Sequence, residues 1–407
     1  MGATPDEAAQ SAVAAADGGT TRAESGSATA QAGSTGGFGE AVRTVSAGST
    51  VLVTGAAGFI GSHTCVDLLT AGYRVIGVDD FSNSSPRAVD RIRAVAGEAS
   101  AGLEFVELDV RDVAALGKLL SATPVDAVVH FAARKAVGES VTMPVEYYDT
   151  NINATLRLVE AMHEHGPRRL IFSSSCSIHG DVDVIPIRED APAKPTNPYS
   201  RTKWMCEQIL ADLCVAEPDW QVIALRYFNP VGAHPSGLLG EDPRGIPNNL
   251  MPYLQQVAVG RREFLSVFGD DYPTSDGTGV RDYIHVMDLA EGHRAALAHI
   301  GDVPGFRVVN LGTGTGTSVR QLLDAFGAAC ERELPYRVVG RRAGDVAELV
   351  ADPTYAAEAL GWHARRGLGE MCRDAWEFQR RNPDGYDGSG SGSGSGVGAD
   401  AEAGASA

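Results

Sequence analysis

The chain has 407 residues, 43% of them hydrophobic, enough for a large buried core and two lobes. Its net charge of −18 argues against general nucleic-acid or anionic-membrane binding, yet leaves room for a phosphate held by local backbone N–H and arginine groups. No apolar run approaches the ~20 residues that span a bilayer. Cys65, Cys176, Cys206, Cys214, Cys330 and Cys372 form no C-x-x-C pair and read as scattered thiols of a reducing, cytoplasmic compartment. His163 and His165 are two apart and would not share a helix face, and no His-Glu-x-x-His occurs, so no metal is expected.

In chain order, residues 1–48 are rich in Ala, Gly, Ser and Thr and read as a disordered tail without a signal segment. Val51-Leu52-Val53 then reads as a buried strand, followed by Thr54-Gly55-Ala56-Ala57-Gly58-Phe59-Ile60-Gly61 and a helix through Thr70, with Val66, Leu68 and Leu69 turned inward. Strand, glycine turn and helix make a dinucleotide-binding fingerprint, here spaced G-x-x-G-x-x-G. Gly55 allows the sharp turn, Gly58 lets backbone approach a pyrophosphate, and Gly61 lets the helix sit close to the sheet. The helix N-terminus offers free N–H groups to the phosphates. A second strand, Tyr73 to Val78, ends in Asp79, roughly 20 residues past the turn. A carboxylate there accepts the ribose 2′-hydroxyl and repels a 2′-phosphate, favouring NAD over NADP.

The alternation continues. Leu103 to Leu108 reads as a strand ending near Asp109, Ala114 to Leu120 as helix, and Ala127 to Phe131 as a strand ending in Ala132-Ala133, small residues that leave room for a flat cofactor. Tyr147 to His165 is a long helix with Ile152, Leu156 and Val159 on one face, and Arg169 to Phe172 is a strand with Ser173-Ser174-Ser175 at its C-terminal end. Repeated βα units imply a Rossmann-type, doubly wound parallel sheet with ligands outside the carboxyl ends of its strands. Tyr199 and Lys203, four apart on the next helix, share a face. The ammonium should lower the phenol pKa and make Tyr199 a general base for a sugar hydroxyl, with Ser175 bonding the same oxygen. Residues 384–407 read as a flexible Gly/Ser-rich tail.

At these residues the chain resembles the extended short-chain dehydrogenases/reductases, and among them the UDP-glucose 4-epimerases. The matching segments are Gly55 to His63, Lys135-Ala136-Val137-Gly138-Glu139-Ser140, Arg226 to His234, Gly245 to Pro252 and Gly279 to His285. The resemblance covers about Ser49 to Tyr386. It implies interconversion of UDP-galactose and UDP-glucose, with hydride passing reversibly between sugar C4 and tightly bound NAD through a 4-keto sugar, in galactose metabolism. It makes Tyr199 the base, Lys203 its tuner and nicotinamide-ribose ligand, and Ser175 the hydroxyl partner. Cofactor positions are then Gly55, Gly58, Phe59, Ile60, Gly61, Asp79, Asp80, Asn83, Ser84, Asp109, Val110, Phe131, Ala132, Ala133, Lys135, Tyr199, Lys203 and Tyr227. Substrate positions are Lys135, Ser175, Tyr199, Phe228, Asn229, Asn248, Asn249, Leu250, Phe268, Arg281, Arg342, Asp345 and Leu349. Arginines at 281 and 342 suit a diphosphate, and planar Asn amides suit uracil or sugar edges.

The implied division is NAD binding mainly in 49–225 and UDP-sugar binding mainly in 226–383, with some strands and helices returning to the first domain. A homodimer through helices Tyr147–His165 and Tyr199–Val215 is implied as well. His179 stands where a tyrosine is usual, Asp80 replaces a frequent Asn, and Thr150 replaces an Asn of some members. Leu349 stands where members carry a tyrosine or a small residue that admits N-acetylated sugars. Two rival readings are a nucleotide-sugar 4,6-dehydratase and a non-catalytic NAD-sensing protein. The first needs an Asp-Glu pair after the serines, where this chain has Cys176-Ser177-Ile178-His179; the second typically loses the Tyr-Lys pair, which is present.

Overall fold

The computed structural model describes residues 44–386 apart from 303 and 343. The first half alternates regularly: β1 (Thr50–Thr54), α1 (Phe59–Thr70), β2 (Arg74–Asp79), α2 (Arg87–Ala96), β3 (Leu103–Glu107), α3 (Val113–Ala122), β4 (Ala127–His130), α4 (Val137–Thr142), α5 (Pro144–His165), β5 (Arg169–Ser175), α6 (Pro198–Ala216) and β6 (Gln221–Tyr227). The second half is more irregular: β7 (Asn229–Val231), α7 (Leu250–Ala258), β8 (Leu265–Phe268), β9 (Val280–His285), α8 (Val286–His299), β10 (Gly305–Leu311), β11 (Gly316–Ser318), α9 (Val319–Cys330), β12 (Tyr336–Val339), β13 (Glu348–Leu349), α10 (Thr354–Leu360) and α11 (Leu368–Arg381).

Seven strands form one sheet in the order β10-β6-β5-β4-β1-β2-β3, every pair parallel. This is the doubly wound sheet the sequence predicts. Side chains alternate between its faces. Val51 and Val53 join α1, α2, α8, α10 and α11 on one side. Leu52, Ile76 and Val78 join α3, α5 and α6 on the other. Burial on both faces accounts for the unbroken apolar runs. A second core, with Leu254, Val267, Tyr283, Phe326 and Met371, lies under α7, α9 and α11. There β9 pairs with β7, β11 and β13, while β8 pairs with β12.

The described chain extends a few residues into both expected tails. Val45 is 1% exposed inside the main core and its carbonyl accepts the Tyr73 hydroxyl. Tyr386 is equally buried, edge-on to Phe378. In each case one large apolar side chain finds a cavity and orders the chain around it. Residues 1–43 and 387–407 lie outside the described residues. On α5 the three residues expected to share a face are not the most deeply buried. Asn151, Ala154, Thr155, Leu158 and Met162 are buried, whereas Ile152, Leu156 and Val159 are half-buried.

Candidate active site

The glycine turn leaves β1 at Gly55, whose φ of +68° lies in the left-handed region. A Cβ there would come within 2.8 Å of the Ala132 nitrogen, so the ends of β1 and β4 meet backbone to backbone. A Cβ on Gly61 would lie 2.2 Å from the Gly55 carbonyl oxygen. Gly61 therefore fits the helix to the turn's own backbone, rather than to the sheet as expected. Gly58 is the N-cap of α1, no side chain caps that end, and its first turn holds no acid. Phe59 and Ile60 follow as the first helical residues. An uncapped helix N-terminus over a turn with glycine at both ends is a cradle suited to a pyrophosphate.

Asp79 closes one wall of this cradle. Its Oδ2 accepts from the Ala57 nitrogen at 2.9 Å, and its Oδ1 from the Phe81 nitrogen at 3.0 Å and the Ser84 hydroxyl at 2.6 Å. Burial raises its pKa against these bonds. The carboxylate thus ties the loop after β2 to the glycine turn, and keeps lone-pair capacity for a further donor. Phe81 adopts φ +54° and stacks on Phe105 at 5.7 Å. Asp80 accepts from the Ser82 nitrogen and hydroxyl, and Asn83 is exposed. Beyond β3, Val110 is buried, while Asp109 lies at the surface, gripped by Arg111, which also reaches Asp149 at 2.9 Å.

The opposite wall is Phe131-Ala132-Ala133. It is set by a hydroxyl–imidazole chain: the His130 Nδ1 meets the Thr54 hydroxyl at 2.7 Å and its Nε2 meets Thr155 at 3.3 Å. Burial drops the His130 pKa to about 3, keeping the imidazole neutral. Tyr227, ending β6, places its hydroxyl 2.5 Å from the His293 Nε2, and that ring lies 4.7 Å from Phe131. Farther along, the Lys135 Nζ donates to the Glu241 Oε1 at 2.7 Å, and the Asn249 amide donates to the same oxygen at 3.0 Å.

On β5, the strand beyond that second wall, and on the helix that follows it stands the Ser-Tyr-Lys set. Strand β5 runs through all three serines, so Ser175 pairs in register with Tyr227. Helix α6 starts on a capping box between Asn197 and Ser200, which aims Tyr199 from its first turn. Ser175 hydrogen-bonds the Tyr199 hydroxyl, and the Ser175 Oγ lies 2.9 Å from the Ser177 Oγ. The Lys203 Nζ donates to the Ser173 carbonyl at 2.8 Å and lies 5.1 Å from the Phe172 ring centre. One expectation needs correction. Burial pushes the Tyr199 phenol up to about 12 against the Ser175 bond, and the same burial lowers Lys203 to about 8. Desolvation, not the neighbouring lysine, decides the direction of the phenol's shift. One residue after Lys203's turn, Glu207 binds Arg226 at 2.7 Å and also takes the Ser174 hydroxyl, a buried pair under the serine run.

The predicted substrate residues fall into small groups. Leu349, 8% exposed, packs in one cluster with Cys176 and Phe228. Arg281, 4% exposed, pairs in register with Leu349, donates to the Val280 carbonyl, and influences the Cys176 thiol electrostatically. Arg342 holds Asp345 through bonds of 2.8 and 3.0 Å and lies 5.1 Å from the Phe268 ring centre. Asn229 lies on β7, Asn248 is exposed, and Leu250 starts α7 with its side chain buried. His179 is buried, within 3.5 Å of Arg226. Sequence reasoning passed over Glu241, His130, Glu207 and His293. Glu241 has no local signature: one of its partners is 106 residues away.

Known proteins resemble this chain over nearly all of the described region. The model of the NAD dependent epimerase/dehydratase family matches residues 51–312. The UDP-glucose 4-epimerase of Bacillus subtilis is 53% identical over 336 residues, 83% of this chain and 98% of the relative. That of Mus musculus is 51% identical over 343 residues, with the same two shares. The crystal structure of UDP-glucose 4-epimerase from Bifidobacterium longum in complex with NAD+ and UDP superposes with a TM-score of 0.80 at 49% identity, covering 83% of this chain and 100% of that one. With the doubly wound sheet, the cradle and the Ser-Tyr-Lys set in place, the chain belongs to the NAD dependent epimerase/dehydratase family.

Proposed function

We propose that this protein interconverts UDP-galactose and UDP-glucose, with NAD held between the glycine turn and the ends of β2 and β4. The observation that carries the reading is the Ser175–Tyr199–Lys203 set beside that groove, in a chain 53% identical to a UDP-glucose 4-epimerase over 336 residues. The groove fits the cofactor: the uncapped end of α1 and the turn bounded by Gly55 and Gly58 suit a pyrophosphate, and Asp79 retains acceptor capacity for a ribose hydroxyl. Its carboxylate would repel a 2′-phosphate. Asp109 and Val110 lie toward the adenine end, and Phe131, Ala132, Lys135 and Tyr227 toward the nicotinamide end.

When bound, NAD supplies reversible hydride acceptance at the sugar C4. Tyr199 removes the proton of the 4-hydroxyl and returns it to the oxygen of the 4-keto sugar. Ser175 donates a hydrogen bond to that oxygen while its charge develops. Lys203 is the cation of this chain placed to favour the phenolate. Arg281 and Arg342 neutralise the diphosphate, and Leu349 bounds the sugar pocket. The cofactor is held mainly by 49–225 and the UDP-sugar mainly by 226–383.

The same reading makes the protein a homodimer through α5 and α6. Half-buried Leu156 and exposed Val145 on α5, with exposed Met205 and Val215 on α6, are apolar side chains left outside the core. Light scattering tests it, a monomer mass being the contrary result. The reading also places the enzyme in the cytoplasm and in galactose metabolism. Its six cysteines are free thiols, and no helix among the described residues is long and apolar enough to cross a membrane. The deciding experiment gives the purified protein UDP-galactose without added NADH. UDP-glucose is the expected product; a 4-keto-6-deoxy sugar identifies a dehydratase instead, and no turnover favours an NAD-sensing protein.

A further inference from the structure

Strand order places the glycine turn between two walls: β1 lies between β4 and β2, so the loops after those strands flank the turn on either side. One short segment of the other half of the chain touches both loops. At one end, Glu241, only 8% exposed, takes the Lys135 ammonium at 2.7 Å from the loop after β4. At the other, Arg244 donates to the carbonyls of Ser82 at 3.2 Å and Ser84 at 2.6 Å in the loop after β2. Ser84 is also the residue whose hydroxyl binds Asp79.

The base of this segment is fixed. The Tyr386 hydroxyl both accepts from the Gly240 nitrogen and donates to the Gly240 carbonyl, each at 3.0 Å, and the Asp242 carboxylate accepts from the Tyr386 nitrogen at 2.7 Å. A Cβ on Gly240 would lie 2.3 Å from the Phe378 ring, so the segment leaves its base with no slack. The two ends differ in strength. The Glu241 contact has one buried partner, whereas Arg244 is exposed and makes its bonds at the surface. Exposed contacts break more readily, so Arg244 is the end that opens.

We infer that residues 240–246 form a clasp across the cofactor groove, with Glu241 as its fixed hook and Arg244 as its releasable one, and that NAD leaves the protein only after Arg244 lets go. This rests on the assignment of NAD to the groove. It adds a retention device contributed by the substrate-binding half, so that a reaction returning its cofactor unchanged keeps the cofactor between turnovers.

The test measures exchange of bound NAD for isotopically labelled NAD in the intact protein, alongside nucleotide content after gel filtration. Arg244→Ala is expected to exchange about tenfold faster than the parent, the scale of losing charge-assisted bonds. Arg244→Lys keeps the charge but not the fork that spans two carbonyls, and should fall between them. Exchange at the parental rate in Arg244→Ala overturns the clasp while leaving the cofactor assignment intact. A KM for UDP-galactose that rises as much as the exchange rate indicates general loosening of the substrate half and overturns it too. A parent protein that neither contains nor takes up NAD overturns the cofactor assignment, and the clasp with it.

Discussion

Tyr199 and Leu349 are the residues to which the proposed function gives turnover and selectivity. The Tyr199 hydroxyl is bonded to Ser175, and desolvation pushes its phenol up to about 12. Tyr199→Phe removes the oxygen and keeps the ring. The expected loss is about 10²–10⁴-fold in turnover, with NAD still bound, checked by initial rates and by nucleotide released on denaturation. Activity within a few-fold of the parent would exclude Tyr199 as the base. Leu349 packs in one cluster with Phe228 and with Cys176, the neighbour of Ser175 in the chain. A leucine leaves more room than tyrosine and less than a small residue, so an acetamido group should meet overpacking of ~1–3 kcal/mol, about one to two decades in rate. Leu349→Ala is expected to raise kcat/KM for UDP-GlcNAc while changing that for UDP-glucose much less. The ratio of the two constants is the readout, because the truncation also removes core volume. An unmoved ratio shows that Leu349 is not the gate.

At the level of elements, the strand-turn-helix unit from β1 to α1 carries the tightest geometry. The Gly61 position has no room for a methyl group, since a Cβ would sit 2.2 Å from the Gly55 oxygen. Gly61→Ala must therefore shift either the helix start or the turn, and both line the proposed pyrophosphate cradle. The expected outcome is a destabilisation of ~1–3 kcal/mol in urea unfolding, with protein that purifies without stoichiometric NAD. Retention of full nucleotide content would show that the cradle tolerates the shift. Helix α6 was legible from Asn197-Pro198, because Asn caps a helix and proline suits its first turn. The polar part of the buried face of α5 was not. That face includes Asn151, whose amide donates to the Arg134 carbonyl and to Thr202, and Thr155, which bonds His130. Those polar residues become core residues only through partners on other elements, which no stripe of apolar residues in the sequence announces.

Across the whole molecule, buried histidines set the response to acid. Burial lowers His63 and His130 to about 3, and His179 and His293 to about 4. Unfolded histidine titrates near its ordinary 6.5. Between these values the unfolded chain binds protons that the folded chain refuses, so stability falls as pH drops below about 6.5. Unfolding at pH 5.5 is expected to take up on the order of three to four protons from these four side chains. The dependence of Tm on pH, with calorimetry in two buffers of different ionisation enthalpy, measures it. A Tm that is flat from pH 6.5 to 5.5 would contradict it.

The amino-acid sequence by itself determined the parts of this protein that are local. The glycine turn, the alternating strands and helices, the serine run at a strand end and the four-residue spacing of Tyr199 and Lys203 all follow from backbone freedom and periodicity over a few residues. Only the tertiary structure decided what surrounds them. Glu241 meets Lys135 and Asn249, the neutral His130 imidazole fixes the wall opposite Asp79, and Val45 and Tyr386 extend the ordered chain into both expected tails. It also decided the sign of the Tyr199 shift. A phenol's acidity depends on how much water all its neighbours exclude, and that sum runs over residues far apart in the chain.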